Sequence, residues 1–325
     1  MIAPLSSCHV LPLLLVLVLA AFVADCMQPS DFPLEAPQHI IMPWLCLQRC
    51  GFNVSQIEEQ INNIKHHNDA FRQNATKGEP LINAVSFEMY NLGSSANVVN
   101  NGFFDANRRL METLPDVLRA PMVTSASLSD MRTLFGNETA FIAKLVDEVV
   151  QRDMHGINVD FEPTEPTTDA DGVAYAAFAK RLRQAMSIAG KFASFDIAVW
   201  SKIWNYTAIA EAITGPSTPL NSTAPVWTQT GYAGTMNTYT FYDSVFPKEL
   251  NISLSAFAPP GASASEKRRL LVGLDTWPNN MTEARLDFHF HLLATNDVCQ
   301  IALWDTPIPD RWWPKLEELT RRCVH

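Results

Sequence analysis

The sequence predicts an α/β fold in which eight parallel strands alternate with helices and close into a (β/α)8 barrel. Short apolar, β-prone segments recur along the chain, and their starts lie about 30 to 40 residues apart, the length of one strand-plus-helix unit. The chain length of about 300 residues beyond an apolar amino-terminal segment also suits one barrel, because barrels of this size are common single domains. This spacing is typical of a TIM barrel. The predicted strands are Ile40–Trp44, Ile82–Tyr90, Met122–Ser125, Gly156–Glu162, Phe195–Trp200, Tyr232–Tyr239, Leu270–Leu274 and Gln300–Trp304.

Helical patterns lie between the predicted strands. Ser55 and Glu58 form the S-x-x-E pattern of a capping box, which predicts a helix start at Ser55. Apolar residues follow at helical spacing, and they indicate helices that bury one face against the sheet. The two clearest stripes are Phe141, Ile142, Leu145, Val146 and Val149, and Tyr175, Phe178, Leu182 and Met186.

The chain begins with a segment that we interpret as a signal peptide. Leu11–Val23 is an apolar run of signal length, too short for a confident membrane span, and small residues follow it. We therefore predict a signal peptide over residues 1–26 and a single barrel domain over residues 27–325. Cleavage after Ala24 and cleavage after Cys26 both fit the pattern, and an uncleaved anchor is the alternative. We expect a secreted or lysosomal protein with no stable membrane insertion after signal removal.

Asparagine and cysteine usage agree with that compartment. Behind the apolar run stand seven Asn-x-Ser/Thr sequons, which predict a glycoprotein. The four cysteines beyond Cys26 are an even number, as expected for disulfides in an oxidising compartment. Pairing Cys46 with Cys50 and Cys299 with Cys323 closes the shortest loops, although three connectivities are possible. The sequons are at Asn53, Asn74, Asn137, Asn205, Asn221, Asn251 and Asn280.

Composition narrows the classes of partner. The formal net charge is −10 and the sequence pI is about 5.3, with no basic patch of the kind that binds nucleic acid. No histidine lies at ligand spacing beside the cysteines, so we expect no metal site and no cofactor. We expect a monomer.

The most informative segment runs from His155 to Glu162. Strand side chains alternate between two faces, so Asn158, Asp160 and Glu162 share one face. Apolar side chains occupy the opposite face. A solvent-facing row in an antiparallel sheet is the alternative, but predicted helices on both sides favour a buried parallel strand.

This segment resembles the catalytic signature of glycoside hydrolase family 18, the chitinase-like enzymes. That signature reads Asp-x-x-Asp-x-Asp-x-Glu at the end of the fourth barrel strand, and His155, Asn158, Asp160 and Glu162 occupy its four positions. The last two match and the first two differ. The chain is most similar to the di-N-acetylchitobiase branch, which also has Asn at the middle position; Phe195–Ala198 and Asn205–Ala210 resemble that branch as well.

The resemblance implies a substrate-assisted mechanism, in which the 2-acetamido group of the substrate is the nucleophile. Glu162 is then the general acid, and Asp160 holds the acetamido N–H. We expect Asn158 to donate a hydrogen bond to Asp160, and His155 to be structural. Tyr239 is the candidate for binding the acetamido carbonyl, with Tyr242 as the alternative.

The resemblance also implies residues that bind the sugar. Trp304 matches a sugar-stacking tryptophan at the barrel floor, with an ordinary core tryptophan as the alternative. Trp200 and Trp277 also end predicted strands, and aromatic faces pack on the C–H surfaces of sugars. Further candidates are Glu88, Asn237 and Asp275, although carboxylates exposed at the surface are as common. Only about 25 residues separate the last two predicted strands, which leaves no room for the α+β insertion domain of many chitinases.

The resemblance thus implies a glycosidase that hydrolyses β-linked N-acetylglucosamine-containing glycans with retention. Chito-oligosaccharides and N-glycan cores are both open as substrates, as are exo and endo action. A chitinase-like lectin that binds glycans without cleaving them is the alternative. The retained Glu162 favours the enzyme, because such lectins usually lose the acid.

Overall fold

The computed structural model describes residues 37–47, 50–74, 78–214, 232–237, 245–263, 267–276, 282–304 and 307–324. For Asn74, Thr214 and residues 232–237 it describes the backbone alone. All of these residues belong to one compact unit, Glu35–His325. Several predictions lie outside the described residues: the signal peptide (1–26), Tyr239, Tyr242, Trp277, and the sequons at Asn221 and Asn280.

The described strands form a sheet that closes on itself. Eight of them run parallel in the order in which they occur along the chain, and β1 pairs with both the last strand and β2. The short β3 is the antiparallel hairpin partner of β2. This topology is that of the predicted TIM-like barrel. The strands are β1 Ile40–Leu45, β2 Ala84–Leu92, β3 Val98–Asn100, β4 Leu118–Ser125, β5 Gly156–Phe161, β6 Phe192–Ala198, β7 Tyr232–Asn237, β8 Leu270–Asp275 and β9 Gln300–Trp304.

All eight predicted barrel strands are present, and the differences lie at their ends. Strand β4 begins four residues before the predicted Met122, because pairing with β2 carries it through Arg119 and Pro121. Strand β6 begins at Phe192 and ends at Ala198, so Trp200 lies beyond the strand rather than in it. Tertiary pairing therefore overrides local composition at these boundaries.

Helices connect the strands and cover the barrel. The two predicted apolar stripes lie on α4 and α5, and most of their residues are buried. Phe161, on the outward face of β5, stacks on Phe178 of α5 with ring centroids 5.9 Å apart. The described helices are α1 Val54–Asn74, α2 Phe104–Glu112, α3 Leu128–Gly136, α4 Thr139–Gln151, α5 Asp169–Ile188, α6 Tyr206–Thr214, α7 Phe246–Phe257, α8 Glu283–Thr295 and α9 Trp313–Val324.

The cap of helix α1 lies two residues earlier than predicted, and the Ser55–Glu58 capping box is wrong. Asn53 is the capping residue: its Oδ1 accepts a hydrogen bond from the Gln56 backbone N–H at 3.0 Å. In return, the Gln56 side-chain oxygen accepts from the Asn53 N–H at 2.9 Å. Asparagine caps helices as well as serine does, so two overlapping patterns competed and the earlier one is formed.

The amino-terminal end of the barrel interior is filled with apolar side chains. Only about 10 Å³ of space remains among the side chains there. Gly156 allows β5 and β6 to approach closely, because a Cβ at this position would lie 2.5 Å from the Phe192 carbonyl oxygen. The residues around this space are Ile40, Met42, Ala84, Leu118, Phe192, Ser194 and Leu271.

Two disulfides, Cys46–Cys50 and Cys299–Cys323, are formed, which confirms the predicted connectivity. Among the sequons whose side chains are described, all four asparagines are exposed: Asn53, Asn137, Asn205 and Asn251. Asn74 is the last residue of α1. Within the described ranges, no helix combines the length and the apolar character needed to cross a bilayer.

Candidate active site

A cavity opens at the carboxyl ends of the barrel strands. The described residues around it enclose about 150 Å³. In TIM-barrel enzymes the active site lies at this end, where several strands present their last side chains. The lining residues are Trp44, Asp160, Glu162, Asp196, Ile197, Ala198, Trp204, Asp275 and Trp304.

Strand β5 brings Asp160 and Glu162 into this cavity, as predicted from their spacing. Asp160 is 4% exposed, and Glu162, immediately after the strand, is half-buried. The Glu162 backbone N–H donates to the Ser125 carbonyl oxygen at 2.8 Å, so β5 stays beside β4 up to this residue. One carboxylate therefore lies deep in the cavity and the other at a more accessible level.

The predicted hydrogen bond from Asn158 to Asp160 is not made; the amide bonds to the neighbouring strand instead. Asn158 is fully buried, and its Nδ2 donates to Asp196 Oδ1 at 3.0 Å and to Ser194 Oγ at 3.1 Å. Its Oδ1 accepts from Ser86 Oγ at 3.2 Å. Asn158 pairs with Ser194 in the register of β5 and β6, so the amide reaches sideways rather than along its own strand.

No role was predicted for Asp196, although it lies in Phe195–Ala198, one of the segments that carry the family resemblance. Asp196 is 8% exposed and lines the cavity next to β5. The sequence contained a signal for this position, because the apolar residues Phe195 and Ile197 flank Asp196 and alternation puts them on the opposite strand face. Both are fully or nearly fully buried in the structure. The same alternation that identified Asp160 therefore identifies Asp196.

Tryptophans form the apolar part of the cavity. The predicted Trp304 lines it, with Trp44 of β1 in an edge contact at 6.1 Å between ring centroids. Trp204 replaces the predicted Trp200, which is 49% exposed and contacts Trp204 from outside the lining. Neither Trp44 nor Trp204 has a hydrogen-bond partner for its buried indole N–H in the described part of the chain. Such donors are costly unless a ligand or water accepts from them.

The other three predicted sugar-binding residues differ in their position relative to the cavity. Asp275, at the end of β8, lines the cavity. Glu88 is 1% exposed and is not a lining residue; its carboxylate lies 3.4 Å from the Cys46 sulfur. Asn237 ends β7, where only the backbone is described. Roles in substrate binding stay predictions for all three residues.

His155 lies at the opposite end of β5 from the cavity. Its Nδ1 accepts a hydrogen bond from the Arg119 backbone N–H at 3.0 Å, which ties the amino ends of β4 and β5 together. Burial, with the nearby charges of Arg119 and Lys191, lowers the pKa of His155 to about 3. A neutral histidine that joins two strands agrees with the structural role expected for it.

The segment after Glu162 is anchored to the preceding loop and helix. Glu165 Oε2 accepts from the Leu128 N–H at 3.1 Å, at the start of α3. Arg132 of α3 donates to both carboxylate oxygens of Asp171, at 2.8 and 2.9 Å, and Asp171 forms a capping box with Thr168. These contacts hold the loop that follows Glu162 in one position.

Comparison with known proteins shows a fold shared with chitinases and chitinase-like proteins. A chitinase from Chromobacterium violaceum ATCC 12472 has a TM-score of 0.63 at 11% identity, over 88% of this chain and 99% of that chain. A chitinase from Bacteroides thetaiotaomicron has a TM-score of 0.56 at 11% identity, over 88% and 96%. The chitinase-like agglutinin RobpsCRA from Robinia pseudoacacia has a TM-score of 0.56 at 11% identity, over 87% and 99%. No protein-family model and no curated protein matches the sequence.

Proposed function

We propose that this protein is a retaining glycosidase of the family 18 type, acting on β-linked N-acetylglucosamine in chito-oligosaccharides or N-glycan cores. One observation carries the proposal: a deep Asp160 and an accessible Glu162 follow one another on the inward face of β5, in a tryptophan-lined cavity at the carboxyl end of the barrel. The aromatic lining suits a sugar ring, because aromatic faces pack on the C–H surfaces of sugars.

In the proposed mechanism the substrate supplies its own nucleophile. The 2-acetamido oxygen attacks C1, the glycosidic bond breaks, and the leaving oxygen takes a proton from Glu162. Asp160 accepts a hydrogen bond from the acetamido N–H and stabilises the positive charge of the cyclised intermediate. Water then adds to C1 as the bond from C1 to the acetamido oxygen breaks, and it gives a proton to Glu162, so the anomeric configuration is retained. Tyr239 remains the candidate for the acetamido carbonyl.

The site favours a short substrate. The described residues line about 150 Å³, which is below the roughly 300–1,000 Å³ of typical ligand pockets. The short segment between β8 and β9 supports the absence of an insertion domain that would deepen the cleft. Both features suit the di-N-acetylchitobiase branch. The disulfides support a secreted or lysosomal location.

The decisive experiment changes the substrate. Release of product from chito-oligosaccharides and from N-glycan cores should be measured side by side, together with analogues in which a hydroxyl replaces the acetamido group. We expect cleavage only when the acetamido group is present. A thiazoline mimic of the cyclised intermediate should bind more tightly than the substrate. Efficient hydrolysis of plain β-glucosides, or a trapped glycosyl ester on any Asp or Glu, would contradict this mechanism.

A glycan-binding protein without turnover is the second candidate, because the agglutinin neighbour has the same fold. The buried indole N–H groups and tryptophan faces of the cavity would serve binding equally well. Chito-oligosaccharide binding with no product after prolonged incubation at any pH between about 4 and 8 would favour this candidate. We expect both binding and turnover.

A further inference from the structure

Asp160 has a carboxylate neighbour across the sheet. The register of β5 and β6 pairs Asn158 with Ser194 and Val159 with Phe195, so the next residues, Asp160 and Asp196, lie level with each other. Neighbouring strands are about 4.8 Å apart, and residues at the same level of a parallel pair point to the same face. Both side chains line the cavity, and both are more than nine-tenths buried.

The position of Asp196 is set by a fully buried amide. Asn158 donates to Asp196 Oδ1 and to Ser194 Oγ, and Ser86 donates to Asn158. This chain of hydrogen bonds joins three strands beneath the carboxylates. An amide N–H stabilises the ionised form of the carboxylate that accepts from it. Asn158 is therefore a positioning residue for Asp196.

We propose that Asp196 and Asp160 act as a carboxylate pair that stabilises the positive charge formed on the acetamido group during cleavage. The inference rests on the proposed function and deepens it, because it assigns the ionisable partner of Asp160 to the neighbouring strand. Asn158 occupies the motif position next to Asp160 and carries no charge. A second, nearly buried carboxylate beside the first adds to the negative potential that a developing cation meets, and charges interact more strongly away from bulk water.

Several ionisable groups lie near Asp196. Asp160 of β5, Glu162 just after β5 and Asp275 of β8 line the same cavity as Asp196. Tyr175 of α5 is fully buried behind the two strands, where burial, then Asp196, then Asp160, raise its pKa well above the ordinary value. Tyr175 is therefore a neutral phenol at neutral pH.

The first test compares two isosteric variants of the full chain. Asp196→Asn should lower kcat on an aryl chitobioside by on the order of a hundredfold while KM changes little, because it removes a charge that acts mainly on the transition state. Asp275→Asn, the matched control, should mainly raise KM. Circular dichroism and Tm verify folding. An unchanged kcat in Asp196→Asn, or equal losses in both variants, would overturn the inference.

The second test needs no turnover. Aspartate ¹³C-carboxyl signals should be titrated in wild type and in both variants, with Asp160→Asn used to assign the Asp160 signal. Carboxyls that interact titrate as a pair, so Asp196→Asn should change the titration midpoint of the Asp160 signal. Asp275→Asn should move it less. An unmoved midpoint rejects the pair even if wild type cleaves the substrate. If the midpoint moves but the protein cleaves no acetamido sugar, the proposed function is rejected and the interaction between Asp160 and Asp196 is retained.

Discussion

The two ends of the barrel interior are built by the same strands but have opposite chemistry. At the amino-terminal end, apolar side chains leave about 10 Å³ unfilled. At the carboxyl end, carboxylates and tryptophans surround about 150 Å³. Strand β5 spans both, with His155 joining strands at one end and Glu162 facing the cavity at the other. The difference indicates that packing at one end supports a functional arrangement at the other, and substitutions can separate these contributions.

The largest expected effect is at the carboxyl end. Glu162→Gln should lower kcat by about 10³-fold or more with glycan binding retained, because an amide cannot give a proton to the leaving oxygen. Steady-state kinetics and calorimetric binding measure the two effects. Glu165→Gln is the matched control, since its amide oxygen can still accept from the Leu128 N–H. A Glu162→Gln enzyme with the wild-type rate would show that the acid is another residue.

At the amino-terminal end we expect a loss of stability without a loss of chemistry. Phe192→Ala should lower the free energy of unfolding by about 3–5 kcal/mol, because it removes a buried ring and leaves a cavity. Denaturant titration measures this loss, and kcat below the transition should stay near wild type. Ile188→Ala, at a position that is 53% exposed, should have a far smaller effect. A large drop in kcat for the folded Phe192→Ala protein would mean that the two ends are coupled.

Asn158 lies between the two ends of the barrel interior, and its substitution should affect both stability and activity. Asn158→Ala leaves Ser86, Ser194 and Asp196 without their shared partner, so we expect a loss of about 1–3 kcal/mol in stability together with lower activity. Asn158→Asp keeps the shape but places a carboxylate against Asp196, and it should retain more activity with an altered pH–rate profile. Superimposable pH–rate curves for Asn158→Asp and wild type would show that this position is not coupled to the carboxylates.

The smallest effect concerns the loop behind Glu162. The two hydrogen bonds from Arg132, more than any other contact, hold the pKa of Asp171 below its ordinary value. A lowered pKa in the folded state contributes stability above the unfolded-state value of about 4, and that contribution is lost as the pH falls further. Arg132→Gln should cost about 1 kcal/mol at neutral pH, because Arg132 is half exposed.

Urea titrations across the acid range test this assignment. The difference in stability between wild type and Arg132→Gln should be constant from about pH 5 to 7 and should shrink below about pH 4. Arg108→Gln removes an exposed ion pair with Glu112 on α2, and it serves as the matched control. A difference that stays constant down to about pH 2 would show that the Arg132 effect does not depend on the charge of Asp171.

The sequence by itself predicted the eight barrel strands and the inward face of β5, and it favoured, among three connectivities, the disulfide pairs that are formed. These features depend on local regularities: alternation along a strand, the spacing of strand-plus-helix units, and the short loops that close between cysteines. The stripes on α4 and α5 follow from helical periodicity in the same way. The rule that identified Asp160 also applied to Asp196, because Phe195 and Ile197 mark the opposite face.

Only the tertiary structure decided which side chains meet. Asn158 bonds to Asp196, 38 residues away, because the register of two strands places the amide below that carboxylate rather than against Asp160. Trp44 and Trp204 reach the cavity from separate parts of the chain, while Glu88 and Trp200 do not line it. Alternation tells which face of its own strand a residue occupies. The neighbours of that residue on adjacent strands depend on the register and closure of the barrel, which are set by all eight strands together.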